Sequence, residues 1–206
     1  MIKTSKQTKK QIDRAQFQCE RILDAAEKCF IEYGFHAASM ANISKSAGMS
    51  VGLIYRYFES KNAIILAIID RQLETMRNDF SNLNSDNDFI ILIGDFLRDW
   101  QSGGNKGLNP ALYLEMVAHA TRDPQIQEAV TKFDRMGTVI FSDWLRKNAQ
   151  AQGREVDEGN IQQCDFLVKC FIDGIAIRVI TEPDLKLSFV IDSLKLLLPH
   201  MSLFNK

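Results

Sequence analysis

The sequence predicts an all-α protein of about nine helices, and three observations predict it. Apolar residues recur at i, i+3, i+4 and i+7 through most of the 206 residues, the period of a helix with one buried stripe. Only 11 glycines and 4 prolines interrupt those periods, and several stand where a helix starts or stops. No stretch shows the strict alternation of a half-buried strand. The expected organisation is an N-terminal three-helix unit over residues 1–61, with a basic tail over 1–13, and a larger helical unit over 62–206.

Composition allows both units a real core: 46% of residues are hydrophobic and 25% charged, ordinary values for a soluble globular chain. The net charge of −1 hides a split. Residues 1–61 carry ten Lys/Arg against six Asp/Glu, a net +4, and the remainder carries −5. A basic end on an acidic body suits a polyanionic partner at one end only. Residues 1–10 hold four lysines and no apolar stretch, unlike a signal peptide. The longest apolar run, Ala63 to Ile69, is far short of a membrane span. The expected location is the cytoplasm, with no membrane partner. Cys19, Cys29, Cys164 and Cys170 form no C-x-x-C pair and read as core filling.

The first helix shows Ile22, Ala25, Ala26, Cys29, Phe30 and Tyr33 on one face, stops at Gly34, and extends upstream to about Arg14. Lys9 and Lys10 then lie close to any bound polyanion, or in a solvated tail. Ser39 can cap a second helix in which Ile43 and Ala47 share a face, and Gly48 suits its left-handed end. Ser50 can cap a third helix running through Phe58, with Ile54 and Phe58 inward. Val51, Gly52, Leu53, Tyr55 and Arg56 then project outward. Two short helices about a glycine turn, the second presenting small, aromatic and basic groups, form a helix-turn-helix.

Arg56 can grip a guanine edge in bidentate fashion or hold a phosphate, and Tyr57 can donate to the backbone. Ser60 caps the fourth helix, which runs to about Phe80, so Lys61 stands at a first helical position where the dipole disfavours a cation. A phosphate bound there would reward it; a solvated lysine is the alternative. A polar linker over 81–87 precedes a fifth helix with Phe89, Leu92, Ile93, Phe96, Leu97 and Trp100 on one stripe. The segment 102–107 ends it. Asn109-Pro110 and Asp123-Pro124 are cap-then-proline starts for a sixth helix and for a seventh reaching about Ala151. Two further helices, Ile161 to Ile180 and Leu185 to Leu198, are apolar nearly all round. One core in so small a chain cannot cover every face of both, which predicts a homodimer joined through helices 8 and 9.

The segment from Ile22 to Leu66 resembles the DNA-binding domain of the TetR/AcrR family of bacterial transcriptional regulators. The matching residues are Ile22-Leu-Asp-Ala-Ala26, Phe30, Gly34-Phe35, Ser39, Ile43, Ala47-Gly48-Met-Ser50, Gly52, Ile54-Tyr55, Tyr57-Phe58 and Ser60-Lys61. Leu114-Glu115 and Thr121-Arg-Asp-Pro124 are similar to the ligand domain of some members. Ser44 stands where many members have alanine, and Val51 and Leu53 are more apolar than the usual base-facing residues.

The resemblance implies a ligand-responsive regulator, a repressor that binds a palindromic DNA operator as a homodimer and is released by a small-molecule effector. DNA contacts are expected from Ser39, Ser50, Val51, Gly52, Leu53, Tyr55, Arg56, Tyr57 and Lys61. It implies a pocket among helices 5 to 8; the candidates are Trp100, Tyr113, Met116, His119, Phe133, Phe141, Trp144 and Phe171, each with plain core packing as the alternative, and a wholly aromatic and aliphatic set suggests an apolar or amphipathic effector. A helical binding protein whose first unit no longer reads DNA is the other class.

No catalytic constellation stands out. The three histidines lie far apart, Glu115 and His119 have no third metal ligand, and 102–107 lacks the spacing of a phosphate loop. No enzyme activity, metal or cofactor is expected.

Overall fold

A computed structural model describes the backbone of residues 2–102, 109–153, 155 and 157–197, with side chains from residue 13 onward. The described residues form nine helices and no strand: α1 Ile2–Ala37, α2 Met40–Ala47, α3 Val51–Tyr55, α4 Lys61–Ser81, α5 Asp86–Gln101, α6 Pro110–Ala120, α7 Pro124–Ala151, α8 Glu158–Thr181 and α9 Leu187–Leu197. The side chains of Lys9 and Lys10, most of 102–107, and Leu198 and His200 lie outside the described residues.

Several boundaries differ from expectation for local reasons. α1 extends well upstream of Arg14. Gly34 breaks its helical geometry at φ 72°, ψ 164°, but one more turn follows to Ala37. α3 ends at Tyr55 instead of Phe58; beyond it the amides of Arg56 and Tyr57 bond three residues back, a tighter turn than the α-helix. Ser85, inside the expected linker, accepts from the Asp88 amide and starts α5 early. Asp157 does the same for α8 through the Gly159 amide.

The chain forms two compact units, residues 1–70 with 115–129, and 71–114 with 130–206. The division therefore falls inside α4, α6 and α7 and not after residue 61. Local contacts explain why 115–129 joins the first unit. Glu115 Oε2 accepts from the Phe35 amide at 2.9 Å, and Asn62 donates to Asp123 at 2.7 Å. His119 meets the Phe35 ring edge-on at 5.7 Å. Ile22, Ala26, Phe30, Phe35, Ile43, Ile54, Ile64, Ile65 and Ile68 form this unit's core.

The second unit is built on Phe89, Ile93, Leu97, Phe141, Trp144, Leu145, Ile161, Cys164, Val168, Ile175, Val190 and Leu194. α5 packs on α8 and α9. Gly94 permits a close approach: a Cβ there would lie 3.2 Å from Ile191 Cδ1. Tyr33 and Cys170, expected in the core, are exposed, whereas Cys29 and Cys164 are buried.

Candidate functional site

The helix-turn-helix is assembled from caps. Ser39 Oγ accepts from the Asn42 amide at 3.2 Å while Asn42 Oδ1 accepts from the Ser39 amide at 3.0 Å, a reciprocal capping box. Gly48 closes α2 at φ 62°, ψ 35°. Ser50 Oγ accepts from the Leu53 amide at 3.2 Å and starts α3. Two further clasps hold the turn. The buried Ser44 hydroxyl donates to the Met49 carbonyl, and the Arg21 guanidinium donates to the Ala47 carbonyl at 2.8 Å. The serine that departs from the family's alanine is thus a staple across the turn. The role of Arg21, 26 residues upstream of Ala47, carried no local sequence signal.

α3 buries Ile54 completely and exposes Val51, Gly52 and Tyr55, with Arg56 exposed just past its end. Leu53 and Tyr57 are half-buried. A Cβ on Gly52 would meet nothing within 4 Å, so nothing inside the chain requires glycine there. Ser39 and Ser50 are exposed, but their oxygens serve the caps.

Lys61 corrects a sequence expectation. Its ammonium donates to the carbonyls of Phe35, Ala38 (2.9 Å) and His36 (3.3 Å), closing the C-terminal end of α1. An ammonium has three N–H donors, and these carbonyls occupy all three, leaving none for a phosphate. Burial pushes the lysine's pKa below its ordinary value. The cation that sits unfavourably at the start of α4 is placed there for the end of α1, where the dipole favours it.

The second unit holds a half-open cavity of about 240 Å³. Trp100, Tyr113, Phe133 and Phe141 line it, beside Phe89, Phe96, Leu97 and Ile172. The other four expected pocket residues are elsewhere. Met116 is buried in the first unit, and His119 there faces Phe35 and Asp123. Trp144 is core, stacked on Phe89 at 5.1 Å, and Phe171 packs against the same core cluster. Neither borders this cavity.

The expectation of a wholly aromatic and aliphatic lining is corrected too. Asp79, Asp134, Asp165, Lys169 and Asp173 face the cavity with Gln72 and Thr75. Lys169 pairs with Asp134 at 2.8 Å and stands 3.4 Å from Asp165, whose Oδ2 accepts the Thr138 hydroxyl at 2.9 Å. Tyr113 donates to Asp173 at 2.8 Å; burial and that carboxylate push its phenol well above the ordinary range. Asp165 and Lys169 are four apart on α8, a spacing that reads in sequence as a surface ion pair. Among the described residues no group of three or more His, Cys, Asp or Glu is placed to hold a metal ion.

Residues 22–68 match the sequence model of the family described as bacterial regulatory proteins, tetR family. The Escherichia coli K12 protein named HTH-type transcriptional regulator UidR is 34% identical over 137 residues, 65% of this chain and 66% of that protein. The chain belongs to the TetR/AcrR family. Among solved structures, Salmonella enterica GusR superposes with a TM-score of 0.72 at 25% identity, covering 89% of this chain and 94% of its own. A TetR-like fold also appears in a regulator from Saccharomonospora viridis in complex with choline, TM-score 0.70 at 18% identity, covering 88% and 95%. The match to the Escherichia coli relative spans just under two thirds of that protein's length. No helix among the described residues is long and apolar enough to cross a membrane.

Proposed function

We propose that this TetR-family chain is a cytoplasmic, ligand-responsive repressor that binds a palindromic operator as a homodimer and leaves it when an effector fills the 240 Å³ cavity. The observation that carries the reading is α3: one side chain anchors it while Val51, Gly52 and Tyr55 face outward in a turn held by five separate caps and clasps. So rigid a mounting for so little buried surface suits a helix that enters a groove. Gly52, unconstrained within the protein, lets the backbone approach a base edge, and Val51 and Leu53 offer apolar contact to thymine methyls.

The exposed faces of α8 and α9 support pairing. Phe166, Cys170, Gly174, Ile177 and Ile180 recur at spacings of three and four along α8, and all are exposed. Phe189 and Leu196 do so two turns apart on α9, at 67% and 70% exposure. A second copy covering these stripes would bring two helix-turn-helix units into one particle, as a palindromic site requires.

A gel shift of the purified protein with the DNA upstream of its own gene tests the reading. Retarded complexes of dimer stoichiometry that survive competitor DNA support it; binding no tighter to that DNA than to random sequence would refute it.

A further inference from the structure

The cavity carries a charge imbalance that its apolar walls do not require. Among the described residues four carboxylates, those of Asp79, Asp134, Asp165 and Asp173, face one ammonium, Lys169. Lys169 is committed to Asp134, Thr138 and Asp165 Oδ2, and Asp173 accepts from Tyr113. Two carboxylates retain unused capacity. Asp165 is only 7% exposed and its Oδ1 has no hydrogen-bond partner among the described residues. The Asp79 carboxylate has no ion pair or hydrogen bond there either, and burial raises its pKa. The indole N–H of Trp100, on the same cavity, is buried with no acceptor among the described residues.

A buried carboxylate oxygen without a donor is costly, and so is a buried N–H without an acceptor. All three residues line one cavity, and a single molecule there can answer them once the Asp165 and Trp100 side chains rotate toward it. We propose that the effector is a protonated amine on an aromatic or aliphatic body, with an N–H donated to Asp165 Oδ1, its charge balanced by Asp79, and an acceptor atom offered to Trp100. The proposal rests on the reading of the chain as an effector-responsive regulator and names the effector's chemical class.

Three considerations select that class. An anion would enter a low-dielectric site already in negative excess. A quaternary ammonium satisfies the charge but brings no N–H to Oδ1. The aromatic wall, with Phe96 and Trp100 stacked at 6.5 Å, favours a cation through ring faces. The volume exceeds the ~150 Å³ that accommodates benzene, leaving space for a ring and a short charged arm.

Calorimetric titration of the full chain with a matched series, each member carrying an ether oxygen as acceptor, tests this: phenoxybutylamine, phenoxybutyltrimethylammonium, phenoxybutanol and phenoxybutanoate. The amine should bind roughly 10–100-fold tighter than the alcohol, the spread expected for hydrogen bonds to a charged group. The trimethylammonium compound should fall between them, and the carboxylate should not bind. Asp165→Asn should remove most of the amine's advantage and Asp79→Asn a smaller part. Unchanged affinity for the alcohol shows that the variants remain folded. A carboxylate that binds as tightly as the amine, an amine preference intact in both variants, or saturable binding by none of the four overturns the proposal. Repeating the titrations with operator DNA separates the two readings. An amine that binds equally well with and without DNA sinks the effector role and spares the ligand class. A carboxylate that binds and displaces DNA does the reverse.

Discussion

Lys61 and Arg56 stand close in the sequence with the same charge, yet their surroundings give them different work. Lys61 spends its donors on three carbonyls at the end of α1. Lys61→Met should therefore lower unfolding free energy by roughly 1–3 kcal/mol in a urea titration. It should also weaken DNA binding without altering its dependence on salt. A salt slope lower by about one per subunit would return Lys61 to the phosphates. Arg56 is exposed beyond the last residue of α3, whereas base edges are usually met by the first residues of a reading helix. Arg56→Ala should lower the salt slope by about one per subunit and leave the selected operator motif unchanged. Relaxed selection at one base pair per half-site would show that Arg56 reads guanine instead.

At the scale of the element, α8 and α9 each show two characters. α9 buries Val190 and Leu194 and packs on α5, while Phe189 and Leu196 face outward. α8 divides likewise, with Cys164, Val168 and Ile175 inward and Phe166, Leu167, Ile177 and Ile180 outward. The doubled variant Phe166→Glu with Ile177→Glu alters only exposed positions, so its fold should persist. Sedimentation should find wild-type dimers and variant monomers at micromolar concentration, with operator binding lost in the variant. A monomeric wild type would exclude the two-helix interface. The two-sided character was legible because apolar residues occupy nearly every helical position; which face meets α5 was not. The sequence signals at Ser39, Gly48 and Ser50 were equally legible, since caps act over three or four residues. The clasps made by Arg21, Lys61 and Glu115 were not, since their partners lie 23 to 80 residues away.

For the whole molecule, α4 and α6 are continuous elements with commitments at both ends. α4 carries Lys61 at its start and Gln72, Thr75, Met76 and Asp79 at the cavity. α6 carries Tyr113 at the cavity, and two residues later Glu115 accepts from the Phe35 amide. Under the proposed switch, an effector that shifts either helix alters the mounting of α3. Linkage then requires operator DNA to weaken effector binding by the same factor that effector weakens DNA binding, typically about 5–150-fold. Titrations run in both directions should agree; equal effector affinity with and without operator would remove this mechanism. Half of the expected cavity lining was misplaced for a related reason. Met116 and His119 share α6 with Tyr113 but belong to the stretch that packs with α1. Helical spacing fixes which residues share a face, but not which neighbour that face meets.

Trp100 also has an optical consequence. The chain holds two tryptophans, one on the cavity and one stacked in the core against Phe89. Their indoles occupy different surroundings, so occupancy of the cavity should alter the emission of Trp100 and leave that of Trp144 nearly constant. A Trp144→Phe protein that retains its fold would emit from Trp100 alone. Binding could then be followed by intrinsic fluorescence, with no dye, no label and no DNA in the cuvette.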